Sequence, residues 1–373
     1  MASSVYFTDL RCRPGTGRLD KLEKLIDKAG MGTIDFRDKF VAVKVHFGEW
    51  GNMAFLRQQY ARVLCDYIKA RGGQPFLTDC NTLYAGTRNN ALNHLETAYR
   101  NGYNPLCTGV HTIIADGLRG LDERLVPVEG GEYVKEAKIG AAVVDADIII
   151  SLTHFKGHNN TGFGGALKNI GMGCGSKHGK MEMHSATTPA IDEEACVGCG
   201  MCAKNCINDG VHVVNGKAAI DPAHCLGCGH CFAFCPKGAI ECRWDEEMPV
   251  LSCKIAEYSK AVLQGKPAFH VSFVTDVSPN CDCDGGNDIP VIPDVGIFAS
   301  FDPVALDSAC VDAANRQKIV PGSFAEKRLP KPGKDGLQPE IFSNLWPGSD
   351  WEACLEHAEK LGLGSRDYEI IKL

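Results

Sequence analysis

The chain has 373 residues, with 39 basic and 46 acidic side chains, 44% apolar residues and 19 cysteines. This length supports a large core without disulfides, and the net charge of -7, without a basic block, excludes nucleic acid as a partner. No apolar run approaches the roughly 18 residues of a membrane span, and the first residues, MASSVYFTDL, lack the pattern of a secretory signal. We therefore expect a cytoplasmic protein without a membrane partner, in which the cysteines serve metal binding or redox chemistry.

The first predicted unit is a strand, a helix and a second strand. Apolar residues alternate over 41–45, recur at helical spacing from Met53 to Ile68 after a cap at Asn52, and return in a strand over 75–79. This order predicts a right-handed parallel crossover and hence an α/β fold with a mostly parallel sheet flanked by helices. Further predicted elements are strands over 145–152, 268–276, 295–300 and 368–373, a surface loop or arm over 321–339 and an amphipathic helix over 351–361.

Polar residues follow the predicted strands at their carboxyl ends. Open parallel sheets bind ligands beyond these ends, so if the first five strands are parallel, these residues share one edge of the sheet. The residues in question are His46, Glu49, Asp79, Cys80, Asn81, His154, Lys156, His158, Cys281, Cys283 and Asp302. The sequence thus predicts a ligand site at this edge. For Asp302 the alternative is a cap on a helix that begins at Pro303.

Eight cysteines form a duplicated motif. The pattern C-x2-C-x2-C-x3-C occurs twice with identical internal spacing, first at Cys196, Cys199, Cys202 and Cys206, then at Cys225, Cys228, Cys231 and Cys235. Structural zinc is the alternative use of such cysteines, but three cysteines in series, twice, with a proline after Cys235, favour two 4Fe-4S clusters.

This stretch, from Ile191 to Trp244, resembles bacterial-type two-cluster ferredoxins, in which the fourth cysteine of each motif binds the other cluster. Ile207 replaces the proline that would follow Cys206. The assignment is crossed: Cys196, Cys199, Cys202 and Cys235 hold one cluster, and Cys225, Cys228, Cys231 and Cys206 hold the other.

A segment rich in histidine, lysine and glycine lies between Ser151 and His184. Glycines permit close approach of a ligand, the pair Gly164 and Gly165 can open a helix whose amides receive an anion, and the lysines suit a carboxylate or phosphate. The alternative is that the histidines have no shared function and are scattered helix caps and surface residues. Catalytic roles are assigned to His46, His154, Lys156, His158 and Lys168, and cofactor contacts to Gly164, Gly165, Asn169 and Lys177.

Three further cysteines are candidates for chemistry. Cys281 and Cys283 are separated by one residue, which makes a mutual disulfide strained, whereas two thiolates beside Gly285 and Gly286 suit a soft metal ion or a further cluster. A structural role of this loop is the alternative. Cys174 is either a reactive thiol or ligand, or a small residue in a tight turn. His178 and His184 are candidate ligands of an additional metal, or proton carriers.

These pieces together resemble the iron-sulfur center proteins catalogued as domain of unknown function 362. The resemblance rests on 44–49 (KVHFGE), 154–158 (HFKGH), 164–169 (GGALKN), 281–283 (CDC) and 302–307 (DPVALD). It implies a ferredoxin module inserted into an α/β domain. At the level of fold alone, the α/β part is similar to lactate-racemase-like proteins.

The expected organisation is an α/β domain over 1–189 and 246–320, an inserted two-cluster domain over 190–245, and a C-terminal arm, helix and strand over 321–373. The leading hypothesis is an iron-sulfur oxidoreductase that passes electrons through two 4Fe-4S clusters to a small anionic substrate or a cofactor, with flavin or an extra metal as further candidates. A ferredoxin, flavodoxin or reductase would be its redox partner, in anaerobic metabolism. The alternatives are a pure electron carrier and a His/Cys metal enzyme with accessory clusters. The 321–339 arm is compatible with a homodimer.

Overall fold

The computed structural model describes residues 2–84, 86–331 and 339–373. Its strands are β1 (Ser3–Thr8), β2 (Phe40–Val45), β3 (Gln74–Asp79), β4 (Thr112–Ile114), β5 (Glu123–Pro127), β6 (Glu136–Gly140), β7 (Ile148–His154), β8 (Lys156–His158), β9 (Gly162–Gly164), β10 (Ala190–Ile191), β11 (Val211–Val214), β12 (Lys217–Ile220), β13 (Ile240–Glu241), β14 (Ala268–Val274), β15 (Gly296–Ser300) and β16 (Tyr368–Lys372).

The helices of the described residues are α1 (Arg18–Lys28), α2 (Gln58–Lys69), α3 (Ala91–Arg100), α4 (Pro105–Thr108), α5 (Ala141–Asp145), α6 (Ala166–Cys174), α7 (Lys177–His184), α8 (Met201–Lys204), α9 (His230–Phe234), α10 (Met248–Leu263), α11 (Pro303–Asn315), α12 (Phe324–Arg328), α13 (Ile341–Leu345) and α14 (Trp351–Lys360). A short 3-10 helix covers Met31–Thr33. Within the described ranges, none of these helices has both the length and the apolar character needed to traverse a bilayer.

An eight-stranded sheet in the order β16-β1-β15-β14-β7-β2-β3-β4 forms the centre of the fold. The strands β14, β7, β2, β3 and β4 are mutually parallel, as are β1 and β16. Helices cover both faces: Val41, Val43 and Val45 of β2 pack in one core with α1 and α2, and Ala42 packs in a second core with α6 and α10. The prediction of a mostly parallel α/β sheet flanked by helices is confirmed.

The strand β15 is the exception to the parallel arrangement. It runs antiparallel to both β14 and β1. Asp302, which follows β15, therefore lies at the opposite edge of the sheet from the residues that follow β2, β3, β7 and β14. The expectation that Asp302 shares the ligand edge is wrong. Its alternative role as a helix cap is confirmed, because its carboxylate accepts hydrogen bonds from the amides of Val304 and Ala305 at the start of α11, at 2.8 and 2.9 Å.

The helix after β2 begins later than the apolar spacing predicts. It starts at Gln58 and not near Met53, because the side chain of Asn52 accepts hydrogen bonds from the amides of Ala54 and Phe55 and holds a turn. The residues 46–57 thus form a long loop above the carboxyl edge of the sheet. This loop carries Glu49 towards the residues that follow β3.

The segment between α7 and α10 has its own small core and two short antiparallel ribbons, β10 with β13 and β11 with β12. Its backbone repeats in step with the two cysteine motifs. Gly198 and Gly227, at equivalent positions of the motifs, both have φ of 64°, and α8 and α9 begin at equivalent positions as well. The amides of Cys196 and Cys225 both donate to the carbonyl of a preceding aspartate, Asp192 and Asp221. The sequence duplication is therefore a structural duplication.

The chain from 321 onwards packs against the α/β part. The predicted arm contains the short helix α12, and residues 332–338 lie outside the described residues. The predicted C-terminal helix and strand are confirmed as α14 and β16, the latter pairing in parallel with β1 at the edge of the sheet.

Candidate functional site

A cavity of about 420 Å³ opens at the carboxyl edge of the parallel strands. Among the predicted site residues, it is lined by His46, Lys156, His158, Gly164, Gly165, Lys168, Asn169, His184, Cys281 and Cys283. His154, Lys177 and His178 lie outside its lining. Lining residues without a predicted role include Lys44, Arg88, Lys180 and Trp244. The strand ends therefore do converge on one concave site, as ligand sites of parallel sheets do.

Lys44 is a buried cation in the wall of this cavity. Its position in β2 directs the side chain to the same face as Ala42, where Nζ lies 2.8 Å from Oδ1 of Asn169 and 3.0 Å from Oδ1 of Asp79. The amide nitrogen of Asn169 donates to Thr153 Oγ1 and to two backbone carbonyls. Asn169 thus orients Lys44 and joins α6 to the sheet, in addition to lining the cavity.

Arg88 is a functional candidate that the sequence did not reveal. It is 2% exposed and lies in a loop after β3, with Nε 3.0 Å from Glu49 and Nη1 3.7 Å from Asp79. Burial opposes its charge, but Tyr84, Asp79 and Glu49 raise the pKa of the guanidinium. No local motif marks this arginine, since its partners are a residue of the loop after β2 and the last residue of β3. The sequence indicated only that Glu49 and Asp79 come at the ends of neighbouring parallel strands, without pointing to Arg88.

Asp282 lies fully buried between the two cysteines of the C-x-C pair. Its carboxylate is 2.9 Å from Nδ1 of His154 and 3.4 Å from Nζ of Lys156. Burial by itself would raise the pKa of Asp282, but these two partners outweigh it and lower that pKa. Nε2 of His154 donates to the carbonyl of Thr275 at 2.8 Å, so both ring nitrogens of His154 are engaged. His154 therefore positions the Asp282 loop behind the cavity wall.

Cys281, Cys283 and His158 converge at the cavity. One ligand atom from each lies within 4.8 Å of the others. The Cys283 thiol hydrogen-bonds to the Cys281 sulfur, which lowers the pKa of Cys281 well below its ordinary value and raises that of Cys283; Lys168 and Lys156 also favour the Cys281 thiolate. His178 and His184 do not belong to this group. Cys174 is a buried core thiol outside the cavity lining, and burial raises its pKa to about 11.

The two histidines His46 and His158 have the same hydrogen-bond arrangement. Nδ1 of His46 accepts from the amide of Gly48 at 3.0 Å, and Nδ1 of His158 accepts from the amides of Asn160 and Thr161 at 3.1 and 3.3 Å. Burial, together with nearby cationic side chains, lowers the pKa of both rings well below the ordinary value. Both imidazoles are therefore neutral and carry their proton on Nε2.

The cavity is electropositive. Its lining contains five cationic side chains, Lys44, Arg88, Lys156, Lys168 and Lys180, and one carboxylate, Asp79. Within the described part of the chain, Lys168 forms no ion pair, whereas Lys44, Arg88 and Lys156 do. Lys168 thus supplies uncompensated positive charge for an anionic ligand.

The backbone amides at the start of α6 already donate hydrogen bonds within the protein. Ala166 and Leu167 donate to the carboxylate of Asp307 from α11 at 2.7 and 3.0 Å. Burial raises the pKa of Asp307 to about 7. The expectation that these amides receive an external anion is wrong, because the chain's own carboxylate occupies them. Gly165 has no room for a side chain, since a Cβ there would lie 2.4 Å from Asp307 Oδ1.

Four cysteines of the duplicated segment line a second, small cavity. They are Cys196, Cys199, Cys202 and Cys235, which come from both repeats. Backbone amides point at sulfurs here: Ala218 donates to Cys196 at 3.3 Å and Ala239 to Cys235 at 3.2 Å. Peptide N–H groups directed at sulfur stabilise thiolates and are a feature of cysteine-bound clusters.

The other four cysteines form a neighbouring group. Burial, with the charges of Cys225 and Cys206 adding to it, raises the pKa of Cys228. Burial, with Cys228, Cys225 and Cys202 nearby, raises the pKa of Cys231 to about 12. The amide of Gly210 donates to Cys206 at 3.1 Å, and the equivalent contact at Cys235 repeats this arrangement in the second motif.

The second group adjoins the α/β part of the molecule. His230, next to Cys231, contacts His178 of α7, and Phe232 packs with Leu83 and Met181. Leu83 lines the large cavity. The ends of the segment also meet there, since His184 and Trp244 both line the cavity with ring centroids 4.7 Å apart.

Residues 41–312 match the family described as Domain of unknown function (DUF362). No curated protein matches the sequence. Solved structures that match the chain include lactate racemase apoprotein from Thermoanaerobacterium thermosaccharolyticum, at 15% identity and a TM-score of 0.41 over 84% of this chain and 58% of that one. Another is a protein from Thermotoga maritima, at 13% identity and a TM-score of 0.36 over 79% and 57%. The chain thus spans somewhat more than half the length of each. Because the family match covers well over half of the sequence, the protein belongs to the DUF362 family.

Proposed function

We propose that the protein is an iron-sulfur oxidoreductase that transfers electrons through two 4Fe-4S clusters to a small anionic substrate in the large cavity. The observation that carries this proposal is that Cys235 of the second repeat lines one cavity with Cys196, Cys199 and Cys202 of the first. A zinc site built from each repeat separately would not need this exchange. The crossed grouping is the ligand set of a two-cluster ferredoxin.

The donor set fits such clusters. All eight cysteines are free thiols, and sulfurs of both groups accept hydrogen bonds from backbone amides. Cys196, Cys199, Cys202 and Cys235 would hold one cluster and Cys225, Cys228, Cys231 and Cys206 the other. When bound, the clusters would supply electrons one at a time.

The two cysteine groups differ in their surroundings. Cys199 is exposed, whereas Cys228, at the equivalent position of the second motif, is only partly exposed. This side of the segment is therefore accessible to a redox partner protein such as a ferredoxin, flavodoxin or reductase. The group with Cys228 and Cys231 adjoins α7 and Leu83, which lead to the cavity. The exposed group thus suits the incoming electrons, and the adjoining group suits their delivery to the substrate.

The cavity residues supply binding and protons. Lys168 attracts the anion, whereas the ion pair of Lys44 with Asp79 is neutral as a whole and holds Lys44 in the wall. The neutral ring of His46 can donate a hydrogen bond from Nε2 to the substrate. A two-electron reduction balances with two electrons and two protons, one from the ammonium group of Lys168, which recovers its proton from solvent, and one from solvent in the cavity.

The test is the metal content of anaerobically purified or reconstituted protein. We expect about eight irons and eight sulfides per chain. Fewer than about four irons after careful reconstitution, or zinc in place of iron, would contradict the proposal. Reduction by dithionite should bleach the visible absorption of the clusters. An acceptor bound in the cavity should restore that absorption faster in the wild type than in a Lys168→Ala variant.

A further inference from the structure

Cys281, Cys283 and His158 form a group of potential metal ligands separate from the eight cysteines of the duplicated segment. One ligand atom of each lies within 4.8 Å of the others. Ligands about 2.3 Å from a tetrahedral ion lie about 3.8 Å apart, so a shift of about 1 Å or less would bring all three to bonding distance. Both cysteines and the histidine line the large cavity.

The loop that carries Cys281 and Cys283 is held in place by the contacts of Asp282, the residue between them. Asp282, between them, is fully buried and turns towards His154 and Lys156, and its carbonyl accepts the amide of Glu49 at 2.8 Å. The amide of Asp284 closes a turn onto the carbonyl of Cys281 at 2.9 Å. Asp282 is thus held against the wall while both flanking sulfurs reach the cavity lining. A prearranged pair of sulfurs lowers the conformational cost of binding an ion.

We propose that Cys281, Cys283 and His158 bind one thiophilic divalent transition-metal ion, whose remaining position faces the cavity and takes an anionic oxygen of the substrate. The inference rests on the proposed function in taking this cavity as the substrate site. Thiolate and imidazole ligands together select such ions over magnesium or calcium. Three protein ligands with one open position are the arrangement of catalytic metal sites.

The charges of the cavity agree with this assignment. Two thiolates neutralise a divalent ion, and Asp282 already pairs with Lys156. Lys168 is left to face the anionic substrate beside the ion.

The two thiolates should contribute more affinity than His158. Its Nδ1 accepts hydrogen bonds from the amides of Asn160 and Thr161. An ion at Nε2 moves the ring proton to Nδ1 and so breaks both of these contacts. This cost offsets part of the energy of the metal–nitrogen bond. The cysteine variants should therefore lose more affinity than the histidine variant.

The experiment uses the full chain with its clusters reconstituted, under reducing and anaerobic conditions, and one equivalent of Zn²⁺ as the probe. Zinc affinity is measured by competition with a chelator, and the zinc environment by X-ray absorption at the zinc edge. We expect one zinc with two sulfurs at about 2.3 Å and nitrogen or oxygen at about 2.0 Å. Cys281→Ser/Cys283→Ser should weaken binding at least about 100-fold and His158→Ala about 10-fold, the latter keeping both sulfurs.

Cys12→Ser/Cys107→Ser is the matched control, since both of these cysteines are exposed and outside the site. Zinc binding that is equal in the Cys281→Ser/Cys283→Ser variant and the wild type would overturn the proposal, as would wild-type protein that binds no zinc. Iron and sulfide are counted in the same samples. Zinc binding that depends on Cys281 and Cys283 in protein without eight irons would contradict the redox function and leave the metal site intact.

Discussion

Nε2 of His178 lies 3.2 Å from Nδ1 of His230, and this contact joins α7 of the α/β part to α9 of the cysteine-rich segment. On its other side, Nδ1 of His178 lies 2.9 Å from Glu123. A hydrogen bond between two imidazoles needs one nitrogen to donate and the other to accept. Protonation of both rings would therefore replace the bond by repulsion.

Acidification should loosen the segment 190–245. Burial, together with the nearby His178, lowers the pKa of His230, so the unfolded chain takes up this proton more readily than the folded chain. The stabilising effect of neutral His230 is present above the ordinary value of 6.5 and is lost as the pH falls through the lowered pKa. Hydrogen-exchange protection factors of residues 190–245 should decrease between about pH 7.5 and about pH 5.5.

A His230→Gln variant should show a smaller decrease over the same range, because its side chain does not titrate. His212→Gln is the control, since His212 is half exposed on β11 of the same segment. An equal decrease in His230→Gln and the wild type would show that the His178 contact does not control the segment.

The crossed grouping of the cysteines can be tested with two double variants. If Cys206 shares a cluster with Cys225, then Cys206→Ser/Cys225→Ser damages one cluster and should keep about four irons. Cys206→Ser/Cys196→Ser damages both clusters and should keep almost none. Uncrossed ligation predicts the reverse result for the two variants. The two proteins carry the same number and type of substitutions, so iron and sulfide analysis compares them directly.

The parallel part of the fold and much of the cavity lining were predictable from local patterns. The strands β2, β3, β7 and β14 are short apolar runs that end in polar residues, and their parallel pairing gathers those residues at one edge. The reversal of β15 was not predictable, because an apolar strand carries no mark of its direction. The position of Asp302 at the opposite edge of the sheet followed from that reversal.

Contacts between distant segments could not be predicted from the sequence either. Asp307 accepts a hydrogen bond from the amide of Ala166 although the two residues are far apart in the chain. Arg88 pairs with Glu49, in the loop after β2, and with Asp79, at the end of β3. The late start of α2 depends on a side-chain turn at Asn52 that competes with helix formation. Each of these features depends on a geometry that periodicity does not encode.

Removal of the Asp282 charge should destabilise the whole α/β part. Asp282→Asn leaves the buried side chains of His154 and Lys156 without their carboxylate. Breaking a buried ion pair from one side costs about 3–5 kcal/mol. The midpoint of thermal unfolding should fall clearly below that of Asp284→Asn, an exposed control on the same loop. Equal midpoints would mean that the pair carries no net stabilisation.

The cap that Asp307 provides to α6 should be needed for stability. Asp307→Ala leaves two buried amides without an acceptor, at a cost of about 2–4 kcal/mol. Asp307→Asn keeps one acceptor oxygen and should cost less. Because burial raises the pKa of Asp307 to about 7, its protonated form stabilises the fold at low pH, and that effect is lost as the pH rises through about 7. The difference in thermal midpoint between wild type and Asp307→Asn should change over this pH range.

Lys168 should determine the affinity of the cavity for anions. Among the described lining residues, Lys168 and Lys180 are the lysines without an ion pair, and Lys180 donates to the carbonyl of Gly175, so the charge of Lys168 is the more available to a ligand. Lys168→Ala should weaken the binding of inorganic phosphate or acetate, measured by calorimetry at low salt, about 10-fold to 100-fold, which corresponds to the loss of one charge-assisted hydrogen bond.

Two control variants complete this measurement. Lys168→Arg should retain most of the anion affinity because it keeps the charge, and Lys318→Ala, on the surface, should retain all of it. Unchanged affinity in Lys168→Ala would place the anion elsewhere, because the charges of Lys44 and Lys156 are already balanced by Asp79 and Asp282.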